Sequence, residues 1–354
     1  MRDQIRSRAG VRARPTSYAA AITTVLVTAH QLDTFGDRLR AAAPDARFLT
    51  MDADGTIRDG GTEIPWEQAH ADVAYGSADI FDDQALTRRF FGWLLRAEQL
   101  RWLQMAAAGV DHPVFGALLD GGVRITSAHV TDIPIAEYVL AQVLRASVPI
   151  EAMDASTAQR QWTKHDWREV HGTRWLVIGL GSIGSAVAVR ARAFGAHVTG
   201  VRRSPTGDEP VDAMVTPDDL LAAVPDADVV VLCAPATRHT IGMVDAGFLG
   251  RMAPQSLLVN VGRGQLVDEV ALRRALDAGR PARAILDVAV DEPPADDSWL
   301  WDHPSVTLTA HTSAGGDGRH ARAADVFAGN LASFVAGEAL VDEVTPESRE
   351  APPG

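Results

Sequence analysis

The sequence contains a single cysteine and has no excess of basic residues. Because Cys233 is alone among 354 residues, no disulfide can form within the chain, and a reducing cytoplasm is the expected location. Its apolar context, VVVLCAP, predicts a small buried side chain rather than a nucleophile. Arg and Lys number 33 against 46 Asp and Glu, so the formal net charge is −13. Since nucleic acids and anionic membranes select basic surfaces, neither is expected as a partner, and any phosphate contact must be local.

Long hydrophobic runs are also missing, although 46% of the residues are apolar. The two most apolar stretches are interrupted, residues 175–190 by three glycines and residues 133–150 by Glu137 and Arg145. No window of about 18 uninterrupted apolar residues exists, so no membrane span is expected. The sequence also lacks a repeat of solenoid length. A chain of this length and apolar content is long enough for two domains with separate cores.

Short β-rich runs alternate with helical patterns from about residue 22 onward. This alternation is typical of parallel sheets covered by helices, so the predicted fold class is α/β with two doubly wound parallel-sheet domains. The first series of predicted strands is TTVLVTA, ARFLTMD, DVAYGS, LRWLQMAA and VRITSA. The second series is RWLVIGLG, AHVTGV, ADVVVLCAP, SLLVNVG, RAILDV and SVTLTA.

The domain limits follow from where these series start and stop. Residues 22–127 together with residues 313–345 are predicted to form one domain, into which a domain of residues 128–312 is inserted. Residues 1–21, rich in arginine and without the apolar stretch of a secretory signal, are expected to form a disordered leader or to result from an over-long start. Residues 346–354 are expected to form a solvated tail.

A glycine-rich turn lies between the first strand and the first helix of the second series. Gly179, Gly181 and Gly184 have the GxGxxG spacing, in which the glycines permit a tight turn, a close approach of pyrophosphate and close packing of helix on strand. The N–H groups at the start of the helix would face the anion. This context predicts that residues 128–312 form a Rossmann-like dinucleotide-binding domain.

The end of the next strand indicates which dinucleotide binds. An acidic side chain at this position hydrogen-bonds the adenosine ribose, whereas arginine accommodates the additional phosphate of NADP. The chain has Arg202, Arg203 and Ser204 here, which can bind a phosphate through two guanidinium groups and a hydroxyl. NADP(H) is therefore the predicted cofactor and NAD(H) a less favoured one. A solvated pair of surface arginines is the alternative interpretation.

Three further strands of the second series are each followed by a charged or titratable residue. Arg263 follows VNVG, Glu292 follows LDVAVD, and His311 follows TLTA. Arginine can bind a substrate carboxylate, histidine can exchange a proton with the substrate oxygen, and a carboxylate can orient the imidazole. This set suits hydride chemistry on a 2-oxo acid and requires no metal. Taken singly, each residue has a structural alternative as a turn, loop or strand-end residue.

With these motifs the chain resembles the D-isomer-specific 2-hydroxyacid dehydrogenase family. The resemblance extends over residues 106–316, from AAAGVDH through IPIAEYVLAQVL, GLGSIG, APATRHTIGMVD, MAPQSLLVNVGRG and LDVAVDEPP to LTAHTSAGG. It implies that Arg263, Glu292 and His311 form the catalytic triad and that Asp287 hydrogen-bonds the nicotinamide carboxamide. It further implies that the backbone near Ser182, Ile183, Val261 and Gly262 contacts the cofactor, as does the turn of Ala234 and Pro235. Main-chain N–H groups near Ser77, Ala78, Gly109 and Val110 would bind the substrate carboxylate, with residues 22–127 and 313–345 as the substrate-binding domain.

The chain departs from the family pattern at four places. Ala310 stands where proline often precedes the catalytic histidine, and Arg202 where many members have aspartate. Ala289 replaces a common phenylalanine, which would loosen the wall of the pocket. Residues 77–79, SAD, differ from the arginine-bearing loop of phosphoglycerate dehydrogenases, which argues against a phosphorylated substrate.

The resemblance implies an oxidoreductase that transfers a hydride between NADP(H) and a small 2-oxo acid or D-2-hydroxy acid, of glyoxylate, hydroxypyruvate or branched 2-ketoacid type. A formate- or phosphite-type dehydrogenase on the same fold is one alternative, although formate dehydrogenases typically carry glutamine where Glu292 stands. A noncatalytic dinucleotide sensor that binds a protein partner is another. A homodimer is expected because the apolar helix IPIAEYVLAQVL matches the region through which family members dimerise.

Overall fold

The computed structural model describes residues 22–106 and 113–344, which divide into two compact units. The outer unit comprises residues 22–130 and 317–344, and the inserted unit comprises residues 131–316. The domain limits predicted from the sequence lie within four residues of these boundaries.

The described part of the outer unit contains a seven-stranded sheet flanked by helices. The strands are β1 (Thr24–Thr28), β2 (Arg47–Met51), β3 (Ile57–Asp59), β4 (Thr62–Ile64), β5 (Val73–Gly76), β6 (Trp102–Met105) and β7 (Arg124–Ser127). The helices are α1 (Ala29–Ala42), α2 (Asp79–Asp82), α3 (Gln84–Leu94), α4 (Pro113–Asp120) and, after the inserted unit, α11 (Arg319–Ala336). The strand order is β4-β3-β2-β1-β5-β6-β7, and strands β2, β1, β5, β6 and β7 pair in parallel.

The antiparallel β3–β4 hairpin at the edge of this sheet was not predicted. Gly60 and Gly61 connect its strands with φ values of 54° and 88°, a pair of left-handed residues that suits the tight hairpin turn. The sequence signal is the Gly-Gly pair within IRDGGTEI. On one face of the sheet, Tyr75 stacks on Phe327 of α11 with ring centroids 4.2 Å apart, so the final helix completes the core of the outer unit.

The inserted unit contains a second sheet, in which all seven described strands are parallel. The strands are β8 (Arg174–Ile178), β9 (His197–Val201), β10 (Ala213–Val215), β11 (Val229–Leu232), β12 (Leu257–Asn260), β13 (Arg283–Leu286) and β14 (Val306–Leu308). The helices are α5 (Asp132–Ser147), α6 (Ile150–Ala158), α7 (Ser182–Ala193), α8 (Leu220–Ala223), α9 (Ala246–Leu249) and α10 (Glu269–Asp277). The order β10-β9-β8-β11-β12-β13-β14 is that of a dinucleotide-binding sheet with one added strand.

The two sheets with their flanking helices confirm the predicted α/β class. The alternating series located every parallel strand except β10, an edge strand of three residues that is too short to show a pattern. Helix α5 lies against α7, and its apolar side chains Ile135, Val139 and Val143 are buried in the core of the inserted unit.

Within the described ranges, no single helix has the length and apolar character needed to cross a membrane. Helices α5 and α6 meet that criterion only when taken together, and they are bent by 59° at the break between them.

Candidate active site

Six loops follow neighbouring parallel strands at the carboxyl edge of the inserted sheet. In open α/β sheets this edge binds ligands, at the point where the strand order reverses. The reversal lies between β8 and β11. The predicted site residues occupy the loops after β8 (Gly179, Gly181), β9 (Arg202, Arg203, Ser204), β11 (Ala234, Pro235), β12 (Val261, Gly262, Arg263), β13 (Asp287, Glu292) and β14 (His311), and the start of α7 (Ser182, Ile183, Gly184).

The glycine turn after β8 has the shape that its spacing predicts. Gly179 has a φ of 96°, and a Cβ added there would lie 2.6 Å from the backbone nitrogen of Ala234. A Cβ on Gly184 would collide with the carbonyl oxygen of Gly179, so this glycine lets α7 approach the strand. At Gly181 an added Cβ would meet nothing within 4 Å. The open space at Gly181, at the start of α7, fits the close approach of a pyrophosphate.

The side chain of Ser182 donates its hydrogen bond within the protein. Its hydroxyl donates to a carboxylate oxygen of Asp132 at 3.0 Å. A cofactor contact at this residue would therefore involve the backbone, as predicted. The neighbouring first N–H groups of α7 have no partner within the helix by the geometry of helix ends.

The turn that bears Arg263 is held by a residue that the sequence analysis did not select. Asn260, at the buried end of β12, donates from its amide to the carbonyl of Arg263 at 2.9 Å and accepts from the N–H of Gly262 at 3.1 Å. Arg263 in turn donates from Nη1 to the carbonyl of Gly262 at 2.8 Å. A Cβ on Gly264 would collide with the backbone of Ala289. The GRG sequence thus brings the Arg263 turn against the loop that leads to Glu292.

Glu292 and His311 lie side by side at this edge. Glu292 Oε2 lies 2.7 Å from His311 Nδ1, and Oε1 accepts from the N–H of Ala289 at 3.2 Å. Both side chains are part-exposed, the carboxylate by 40% and the imidazole by 49%. Because Nδ1 faces the carboxylate, Nε2 is the nitrogen left to exchange a proton with a ligand. The structure therefore brings together two of the three predicted catalytic side chains.

Asp287 is buried beneath the loop that bears His311. One carboxylate oxygen accepts from the Thr309 hydroxyl at 2.7 Å and the Thr312 N–H at 2.9 Å, and the other accepts from the Ser313 N–H at 2.9 Å. The carbonyl of Asp287 accepts from the His311 N–H at 2.8 Å. This residue, predicted to contact nicotinamide, is thus also the centre of the His311 loop.

A carboxylate lies beside the predicted phosphate-binding arginine. Glu209 accepts from Arg202 Nη1 at 3.3 Å, and its side chain is 3% exposed. The N–H of Thr206 and, to a lesser extent, that of Gly207 donate to this carboxylate and lower the pKa of Glu209 to about 2. Glu209 therefore stays ionised at neutral pH and closes the loop that follows β9.

Cys233 packs against the core of the inserted unit but is only partly buried, whereas its apolar context predicted a buried side chain. Burial raises the pKa of this thiol to about 12, so the thiol is protonated at neutral pH and is not an activated nucleophile. Residues 22–106 and 113–344 contain no group of three or more His, Cys, Asp and Glu side chains that could hold a metal ion.

A small apolar recess lies beside the His311–Glu292 pair. It has a volume of about 170 Å³, and its walls include Ala289, Pro293, Trp301 and Leu308. Ala289, at which a looser pocket wall was predicted, lines this recess.

In the outer unit, two of the predicted substrate contacts follow β5. Ser77 is buried, and Ala78 precedes α2. The next residue, Asp79, accepts from the Thr28 hydroxyl at 2.6 Å and from the Gln31 amide at 3.0 Å. The other two predicted contacts, Gly109 and Val110, lie outside the described residues.

Comparisons with known proteins agree with these features. The model of the NAD-binding domain of D-isomer specific 2-hydroxyacid dehydrogenases matches residues 140–313. The D-3-phosphoglycerate dehydrogenase of Mycobacterium bovis is 34% identical over 261 residues, 71% of this chain and 48% of the relative. That of Archaeoglobus fulgidus is 33% identical over 62% of this chain and 42% of the relative. The chain spans about half the length of the curated relatives it matches.

Solved structures extend the likeness over nearly the whole chain. A D-isomer specific 2-hydroxyacid dehydrogenase family protein from Aeromonas salmonicida has a TM-score of 0.75 and 27% identity, covering 92% of this chain and 99% of that one. A D-isomer specific 2-hydroxyacid dehydrogenase from Xanthobacter autotrophicus, in complex with NADPH and MES, has a TM-score of 0.70 and 26% identity, covering 93% and 99%. From the matched inserted unit, the sequence relatives and these structures, we conclude that the chain belongs to the D-isomer specific 2-hydroxyacid dehydrogenase family.

Proposed function

We propose that this protein transfers a hydride between NADP(H) and a small 2-oxo acid or D-2-hydroxy acid. The observation that supports this most directly is the His311–Glu292 pair, 2.7 Å apart, at the same sheet edge as the Arg263 turn and the glycine turn. The nicotinamide cofactor, when bound, supplies or accepts the hydride.

The chain's own residues account for binding and proton transfer. The guanidinium of Arg263 binds the substrate carboxylate and polarises the carbonyl group. His311 gives a proton from Nε2 to the carbonyl oxygen during reduction, and takes it back during oxidation. Glu292 fixes the orientation of the ring through Nδ1 and stabilises the imidazolium form.

The cofactor preference is proposed from the loop after β9. Arg202, Arg203 and Ser204 follow the strand end where the adenosine ribose binds in this fold. The bond to Glu209 does not exhaust Arg202, because a guanidinium has five N–H donors. The related Xanthobacter autotrophicus protein was solved with NADPH, which supports the same preference here.

We propose glyoxylate, hydroxypyruvate or a branched 2-oxo acid as the substrate, rather than a phosphorylated one. The sequence relatives named above are phosphoglycerate dehydrogenases, but the predicted substrate loop here contains Asp79 instead of arginine. A carboxylate at this position would repel a phosphate. Among these three, the apolar recess at Ala289 favours the branched 2-oxo acid, which alone has an apolar substituent.

We still propose a homodimer, but on a different observation from the apolar character of α5. Most apolar side chains of α5, among them Ile135, Val139 and Val143, are buried within their own unit. In the segment that follows α6, Trp162 is completely exposed and Trp167 is about half exposed. Ile150, at the start of α6, is also about half exposed. Exposed aromatic residues of this size are typical of interfaces. Light scattering that shows a monomer at micromolar concentration would contradict the proposal.

A cytoplasmic location is proposed from the single cysteine alone.

The experiment that tests the proposed function is a substrate panel with both cofactors. Glyoxylate, hydroxypyruvate, a branched 2-oxo acid, D-3-phosphoglycerate, formate and phosphite are each assayed with NADP(H) and NAD(H). We expect kcat/KM to be highest for a 2-oxo acid with NADPH. Turnover of formate or phosphite alone would favour the alternative dehydrogenases. Dinucleotide binding without turnover of any substrate would identify a sensor.

A further inference from the structure

The backbone of His311 has an unusual conformation. Its φ of 49° lies in the left-handed region, which residues with a Cβ rarely adopt outside sites where the surroundings enforce it. Many relatives have proline before this histidine, but Ala310 stands there in this chain, so the ring constraint of proline is absent. Other interactions must hold the turn that aims the imidazole.

Four hydrogen bonds converge on the buried Asp287, as described above. Its carboxylate accepts from one side chain and two backbone N–H groups of residues 309–313, while its carbonyl accepts from the His311 N–H. Asp287 is 1% exposed, so water does not compete with these bonds. The left-handed turn is thereby fixed on both sides of His311.

The chain of hydrogen bonds continues beyond Asp287 to helix α5. The Thr309 hydroxyl lies 2.7 Å from the Asp287 carboxylate and 2.7 Å from the Tyr138 hydroxyl. An ionised carboxylate only accepts, so the single Thr309 proton points to Asp287 and Tyr138 must donate to Thr309. Burial raises the pKa of Tyr138, which keeps its hydroxyl protonated and able to donate. Tyr138, Thr309 and Asp287 therefore form a directed chain that ends at the His311 turn.

We propose that Tyr138 and Thr309 are positioning residues that act through Asp287 to hold His311 in the geometry for proton transfer. The proposal rests on the proposed role of His311. It also gives Asp287 a second task beside the contact with nicotinamide that the family resemblance implies. The two tasks are compatible, because a carboxylate has about four lone-pair sites and three are used by residues 309–313.

The test compares Thr309→Val, which removes the hydroxyl at nearly constant shape, with Thr309→Ser, which keeps it. We expect kcat to fall about tenfold in Thr309→Val, which loses the hydrogen bonds to Asp287 and Tyr138, and about threefold in Tyr138→Phe, which loses one. Thr309→Ser should retain most of the turnover. Thr307→Val, two residues earlier on β14, is the matched control and should behave as wild type. The KM for the 2-oxo acid and the Kd for NADPH should change little in all four variants.

A spectroscopic arm reports on His311 without relying on turnover. The ring ¹⁵N signals of His311, assigned by their loss in His311→Asn, should shift or broaden in Thr309→Val and Tyr138→Phe but not in Thr309→Ser. Unchanged signals together with wild-type kcat in Thr309→Val would overturn the inference. If Thr309→Val does not fold, Tyr138→Phe decides by the same two measurements. Near-normal turnover in His311→Asn would overturn the proposed function instead, and the ring signals would still decide the positioning role.

A second control separates positioning from nicotinamide binding. The 2′-phosphate form of ADP-ribose lacks nicotinamide but retains the rest of NADPH. If Thr309→Val weakened NADPH binding while leaving binding of this fragment unchanged, the defect would lie at the nicotinamide contact of Asp287, and the positioning role would be wrong. We expect the affinity for NADPH to be the same in Thr309→Val as in wild type, and likewise the affinity for the fragment.

Discussion

The inserted and outer units share a doubly wound design but use the carboxyl edges of their sheets differently. In the inserted unit, glycines at 179, 184, 262 and 264 let successive loops pack against one another, and charged or titratable side chains follow β9 and the three neighbouring strands β12, β13 and β14. In the outer unit, Asp79 at the corresponding edge accepts from Thr28 and Gln31, which belong to the neighbouring β1–α1 turn. The fold alone therefore does not determine the chemistry, which depends on the loops.

The two sheet edges also differ in the partners of their carboxylates. The carboxylate of Asp79 joins two elements of the outer unit, whereas the Glu292 carboxylate pairs with an imidazole that is half exposed to ligands. We therefore expect substitutions at the inserted edge to change turnover and cofactor choice. Substitutions at the outer edge should change stability first.

The largest expected effect is that of His311→Asn. Loss of a general acid or base lowers the rate by roughly 10²–10⁴, while NADPH binding should persist because the imidazole pairs with Glu292 rather than with the glycine turn. Turnover and NADPH affinity are measured on the same preparation. His197→Asn, at the opposite end of the same sheet, is the control. Turnover within a few-fold of wild type in His311→Asn would remove this residue from the mechanism.

Cofactor choice should show the next largest effect. Two arginines that face a phosphate can favour NADPH by about a hundredfold, at roughly 1.5–3 kcal/mol for each charge-assisted bond. The structure refines the variant that reverses this preference, because aspartate at position 202 would face the ionised Glu209. We therefore expect Arg202→Asp with Glu209→Gln to favour NADH, relative to Glu209→Gln alone. The ratio of kcat/KM for the two cofactors is the measurement, and a wild-type preference for NADH would contradict the assignment.

The second and third glycines of the GxGxxG motif should respond in different ways. Gly184→Ala drives a Cβ into the Gly179 carbonyl and should lower the free energy of unfolding by about 1–3 kcal/mol. Gly181→Ala meets open space, so stability should change little while the Kd for NADPH rises. Thermal unfolding and cofactor titration of both variants test this. A loss of stability in Gly181→Ala equal to that in Gly184→Ala would show that the motif only serves packing.

Local patterns predicted the strand ends, and strand ends predicted most of the site. Arg263, Glu292 and His311 could be selected because each follows an apolar run, and parallel strands bring such ends to one edge. The hydrogen bond between Tyr138 and Thr309 joins residues 171 positions apart, and no periodicity indicates such a contact. The pairing of Glu209 with Arg202 depends on the path of an irregular loop. Composition and spacing predict helices and strands, but a structure is needed to identify the side chains that pair across loops.

The smallest expected effect is that of Asp79→Asn in the outer unit. Asparagine keeps the shape of the side chain but presents an NH₂ group to one of two donors, so one hydrogen bond is lost and a donor faces a donor. The free energy of unfolding should fall by about 1–2 kcal/mol. At a temperature where the variant stays folded, kcat with a small 2-oxo acid should stay within a few-fold of wild type, because the partners of Asp79 are structural. Thr28→Val, which removes one of the two donors, should reproduce part of the loss of stability. A variant of unchanged stability but severely reduced kcat would place Asp79 in the catalytic machinery and remove the distinction between the two sheet edges.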